Sequence, residues 1–188
     1  MRWKAFTGTD NGPRPHVPFN GMEGLPLEQQ TVPDQAAKTA FDNLRTYSNC
    51  CRATLWALQT HLDLPGEGAW RATATLSGGL GRGETCGALI GALMGLGLAL
   101  GPASVDDLAA DERARQAKLD LVERFATMFT STRCYEVQEY LVGWRRDDPS
   151  KADAWERDNG PVACALLCAE AARASAQIIL LARNGTPS

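Results

Sequence analysis

From Cys86 to Leu100 the chain runs fifteen residues, CGALIGALMGLGLAL, without a single charge, and Gly83, Gly87, Gly91 and Gly95 recur every four positions. A period of four places these glycines on one face of a helix, which Ala88 and Ala92 widen. Glycine inside a helix costs about 1 kcal/mol relative to alanine. A whole stripe is therefore expected only where another backbone comes very close. Two partners satisfy that demand: a neighbouring helix of the same chain, or a second copy crossing at a homodimer seam. Both stay open at this point, and a homodimer is the partner expected. The segment falls short of the roughly 20 apolar residues that span a bilayer. Its flanks, Arg82, Glu84, Asp106 and Asp107, carry no basic bias, so it reads as a buried core helix and no membrane association is expected.

The remaining segments read as helices around it. From Asp34, just after Pro33, the apolar positions Phe41, Leu44, Cys51, Leu55, Leu58 and Leu62 keep helical spacing until LPGEG breaks the chain. AWRATATLSGGLGRGET is a short helix running into a glycine loop. Gly101-Pro102 stops the glycine-striped helix. SVDDLAADERARQAKLDLVERFATMF is a long amphipathic helix with Ser104 as the expected N-cap and acids in its first turn. STRCYEVQEYLVGW opens another, capped by Ser131 or Thr132. RRDDPSKADAWERDNGP is a polar connection with one helical turn, and a last helix runs from Pro161 to about Arg183. Residues 1–33, rich in Gly, Pro and Asn and without a period, read as an extended arm. With strand signals almost absent, the fold class is all-α: a bundle of five or six helices with an extended N-terminal arm, residues 34–188 forming a single helical domain.

A length of 188 residues suits one domain. A net charge of −3 leaves no basic footprint for nucleic acid, and no basic run suits anionic lipid. The N-terminus, MRWKAFTGTDNGPRPH, lacks the apolar core of a signal peptide, so a cytoplasmic location is expected. In that reducing setting six cysteines point to metal or thiol chemistry rather than to disulfides. Cys86 and Cys134 fall at the first turns of their helices, where unpaired N–H groups and a partial positive charge favour thiolate and lower its pKa. Cys50 and Cys51 are adjacent and read as mid-helix, pointing about 100° apart. Cys164 and Cys168, one turn apart, share a helix face. The chain has no CxxC pair and no CxxCH haem-attachment motif, and its only histidines are His16 and His61. Thiols thus come from four helices, and a bundle can gather such ligands inward.

The sequence resembles the C-GCAxxG-C-C family of putative redox-active proteins. The residues that carry the likeness are Asn49-Cys50, then GRGETCGALIGALMGLG around Cys86, then Cys134 after FATMFTSTR, then Cys164 with Ala171-Ala172 beyond it. It covers roughly residues 38–182. The family is similar to the iron–sulfur part of split-Soret cytochromes, which are dimeric and also carry haem; the missing attachment motif removes haem from the expectation. The chain departs from the family pattern at Cys51, where alanine is usual, and at Cys168, usually aliphatic. The resemblance implies a small iron–sulfur protein for electron transfer or redox sensing, with a redox partner protein of unspecified identity. Cys50, Cys86, Cys134 and Cys164 would be the thiolate ligands of a [2Fe–2S] or [4Fe–4S] cluster. Cys51 and Cys168 are expected beside them as further ligands, which would permit a larger cluster, and Arg82 is expected to offset charge near it. Two other chemistries use the same thiols: metal-free thiol–disulfide exchange and a four-cysteine zinc site.

Overall fold

The computed structural model describes Met22 and residues 25–151 and 153–185. Most of the expected N-terminal arm lies outside the described residues. Its last part is helical: α1 spans Leu27–Gln30 and α2 spans Val32–Tyr47, with Pro33 in the first turn of α2, where its missing N–H costs nothing. Then follow α3 (Cys50–Leu62), α4 (Ala69–Ala72), α5 (Gly87–Leu100), α6 (Leu108–Phe129), α7 (Cys134–Val142), α8 (Ala154–Arg157) and α9 (Gly160–Arg183). The described residues contain no strand, and the molecule is all-α as expected, apart from one isolated antiparallel bridge between Thr85 and Arg133.

The helix expected from Asp34 to Leu62 is in fact two. Ser48 turns left-handed (φ 53°) and Asn49 is extended, and its side chain accepts from the Arg52 backbone N–H at 2.9 Å. This is N-capping by a residue suited to it. The Asn49 amide also donates to the Thr73 carbonyl at 3.1 Å, which fixes where α3 starts. Periodicity alone hid the break, because α2 and α3 bury their apolar faces in the same core. Cys50 is therefore the first residue of a helix, not a mid-helix residue. At α6 the cap is Asp107, accepting from the Ala110 N–H at 3.0 Å, rather than Ser104.

Helix α9 lies at the centre, packed against α2, α3 and α5, and α5 is held between α3, α9 and α6. Leu55, Leu58, Leu89, Leu96, Leu121, Phe125, Ile178, Ile179 and Leu181 fill the space between them. By length and composition α9 could cross a bilayer, but 72% of its most apolar window is buried inside the protein. The glycine stripe of α5 faces α3. A Cβ on Gly91 would lie 2.3 Å from the Cys51 carbonyl oxygen, and one on Gly95 would lie 2.4 Å from a Leu58 methyl. The stripe is thus used within the chain. On its other side Ser175 of α9 donates to the Ala92 carbonyl at 3.1 Å, a close approach that the small residues permit.

Candidate functional site

Three helices begin at one place, each with a cysteine. Cys50 is the first residue of α3, Cys86 caps α5, and Cys134 is the first residue of α7. Cys164 sits one turn into α9. All four line a single cavity of about 410 Å³. Cys86 and Cys134 are buried, whereas Cys50 and Cys164 are half-buried.

The chain builds this meeting point locally. The Cys86 N–H donates to the Thr132 carbonyl at 2.8 Å, and the Cys134 N–H donates to the Glu84 carbonyl at 2.6 Å. With the Thr85–Arg133 bridge these bonds stitch the two helix starts side by side. The loop Gly79–Gly83 is left-handed at Gly79, Leu80, Gly81 and Gly83, and a Cβ on Gly79 would collide with the Glu84 backbone and the Cys134 Cβ at 2.6–2.8 Å. Glycine is required there because backbone must pass directly beneath a cysteine. Gly87 plays the same part for the other thiol: its Cβ would lie 2.4 Å from Cys50 Sγ. The glycines around Cys86 therefore make room for the cysteines of neighbouring helices.

Electrostatically the site differs from the sequence expectation. Helix starts were expected to lower the thiol pKa of Cys86 and Cys134. Burial instead pushes Cys86 well up, reinforced by neighbouring Cys50, Cys134 and Cys164, and the Ala88 N–H offsets only part of this. Burial, with Cys50 beside it, pushes Cys134 up to about 11, and burial with Cys50 and Cys134 pushes Cys164 up to about 12. Desolvation of a charged form outweighs a helix terminus when the group is this enclosed. Arg146, which lines the cavity and stacks over the Trp155 ring at 5.0 Å, acts the other way on both Cys134 and Cys164. Thiolates at this site need a positive counter-charge, and Arg146 and Arg45 are the arginines on its wall.

The other expected site residues, Arg82, Cys51 and Cys168, do not line the cavity. Arg82 is exposed on the glycine loop and does not line the cavity. Cys51, fully buried, points its sulfur to Met94 Sδ at 3.8 Å, on the far side of α3. Cys168, also fully buried, contacts the Cys50 carbonyl at 3.7 Å behind the cavity. Neither is on the cavity wall: adjacency on a helix turns Cys51 by about 100° from Cys50, and Cys168, on the same face as Cys164, lies one turn deeper, still close to Cys50, Cys164 and Cys86. Lining residues that escaped the sequence reading include Arg45, Gln138 and Arg146. Gln138 lies four residues after Cys134, a spacing that places it on the same face, and its Nε2 donates to Cys134 Sγ at 3.4 Å. Arg146 sits in the polar connection after α7, and nothing in that stretch marks it locally.

The donor set fits an iron–sulfur cluster in kind: four cysteines, with N–H groups close to sulfur. No three His, Cys, Asp or Glu side chains among the described residues converge tightly enough to hold one metal ion. The four thiols share the wall of one cavity. A helical protein with four thiols, from four separate helices, on the wall of one cavity defines a class suited to redox or metal chemistry. The chain belongs to the C_GCAxxG_C_C family, described as putative redox-active protein, whose model matches residues 48–178 and so takes in all six cysteines. No curated protein and no solved structure matches the chain.

Proposed function

We propose that this family member is an iron–sulfur redox protein, with Cys50, Cys86, Cys134 and Cys164 as the cluster ligands. The observation that carries the reading is the arrival of these four thiols, from α3, α5, α7 and α9, at one cavity of about 410 Å³. A cluster bound there would supply reversible one-electron chemistry. The chain's own residues bring the four sulfurs to one cavity, exclude bulk water from Cys86 and Cys134, and place Arg146 where its charge favours the Cys134 and Cys164 thiolates. Four thiolates also suit a single tetrahedral zinc, and metal and sulfide analysis separates the two. Metal-free thiol exchange calls for accessible, low-pKa thiols, and enclosure works against that.

Protein purified without oxygen is expected to be brown and to carry iron and acid-labile sulfide in near-equal amounts. Stoichiometric zinc with no sulfide would replace this reading with the zinc one. A colourless protein free of metal, whose thiols cycle with a dithiol reductant, would replace it with thiol exchange.

A further inference from the structure

Gln138 is 3% exposed and lies on the second turn of α7. Its Nε2 donates to Cys134 Sγ at 3.4 Å, and its side chain also acts against the burial that raises the Cys164 thiol pKa. One side chain thus donates to the thiol of α7 and shares the cavity wall with the thiol of α9. Its Oε1 is buried and accepts from no group among the described residues. A leucine would fill the same space without an unsatisfied carbonyl, whose burial disfavours folding. Packing therefore gives no reason for glutamine here. The amide N–H does, because donors to the sulfurs of a cluster are one of the levers a protein has on its potential.

We propose that Gln138 is a positioning residue of the thiol site: it orients the Cys134 sulfur and, by donating to it, raises the reduction potential of the bound cluster. This rests on the iron–sulfur reading above. A donated N–H withdraws electron density from a thiolate. The reduced cluster, carrying one more negative charge, gains more from that withdrawal than the oxidised one.

The test is a redox titration, followed by paramagnetic resonance and visible absorption, of anaerobically loaded wild type, Gln138→Leu and Gln138→Glu. Leucine removes the donor and the unpartnered acceptor together; glutamate keeps the shape but replaces the donor with an acceptor. At equal iron content the midpoint should move negative in Gln138→Leu by roughly a tenfold change in the oxidised-to-reduced ratio, which is about 59 mV for a one-electron couple. Gln138→Glu should move it at least as far, and further as pH rises and the carboxylate ionises. A residue that only packs would change the melting temperature and leave the midpoint alone. Unchanged midpoints in both variants overturn this inference while the cluster reading stands. A wild type that takes up no iron and sulfide overturns both.

Discussion

Replacing Gly87 by alanine sets a small change in volume against the geometry of a ligand. An added Cβ would lie 2.4 Å from Cys50 Sγ and 2.8 Å from the Leu76 carbonyl oxygen. Non-bonded heavy atoms rest at about 3.5–4.0 Å, so the sulfur must retreat by roughly 1 Å or more. The two neighbours respond differently. Cys50 can rotate to another staggered rotamer at little cost to folding, but rotation carries its sulfur off the cavity wall. The Leu76 carbonyl is backbone and moves only with the turn that precedes the glycine loop. Overpacking of this kind costs about 1–3 kcal/mol, against at most about 1 kcal/mol gained from alanine's helix propensity. The net destabilisation of up to about 2 kcal/mol corresponds to a drop in melting temperature of about 4–8 °C for a chain of this length. Loss of a ligand is the larger effect: iron and sulfide per chain should fall several-fold. Gly97→Ala, on the same helix with nothing within 4 Å of its Cβ, is the control. It should keep full iron content and melt no lower than wild type. A Gly87→Ala protein with wild-type iron, sulfide and visible spectrum would refute the placement of Cys50 as a ligand.

Two further outcomes follow from where the thiols lie. Cys51→Ala combined with Cys168→Val should keep the iron count and spectrum and lose only a few degrees of melting temperature, on the order of the change for a 1 kcal/mol packing defect, whereas Cys50→Ala with Cys164→Ala should abolish both. A changed spectrum in the first pair would make the extra thiols ligands after all. Cluster-free protein should be sensitive to alkali. Its thiols ionise near 9.0 when unfolded but near 11 at Cys134 and near 12 at Cys51 and Cys164 when folded, in each case mainly through burial. Because the folded pKa values are raised, the stability they contribute is complete below about pH 9 and is lost as pH rises through 11 to 12. Urea midpoints measured across that range should fall, and a flat profile would show that the thiols are not enclosed.

The sequence by itself determined the helices and much of their punctuation. The uncharged run from Cys86 to Leu100, the stop at Gly101-Pro102 and the placement of Cys86 and Cys134 at helix starts are all local properties, set by spacing and by residues that begin or end a helix. The four family cysteines were legible in the same way, as an ordered pattern. Where that pattern depended on a partner distant in sequence, only the tertiary structure decided. The Gly91–Gly95 face could have met a second chain equally well; it meets Cys51 and Leu58 of α3. The break at Ser48–Asn49 was hidden because both halves feed one core, and Thr73, twenty-four residues away, anchors it. The helix-start argument for low thiol pKa failed because solvation is not local: α9 and the loop beneath Cys134 enclose the sulfurs, and desolvation then outweighs the terminal N–H groups. Gln138 and Arg146 became site residues for the same reason, since a period fixes which residues share a face but not what that face will be pressed against.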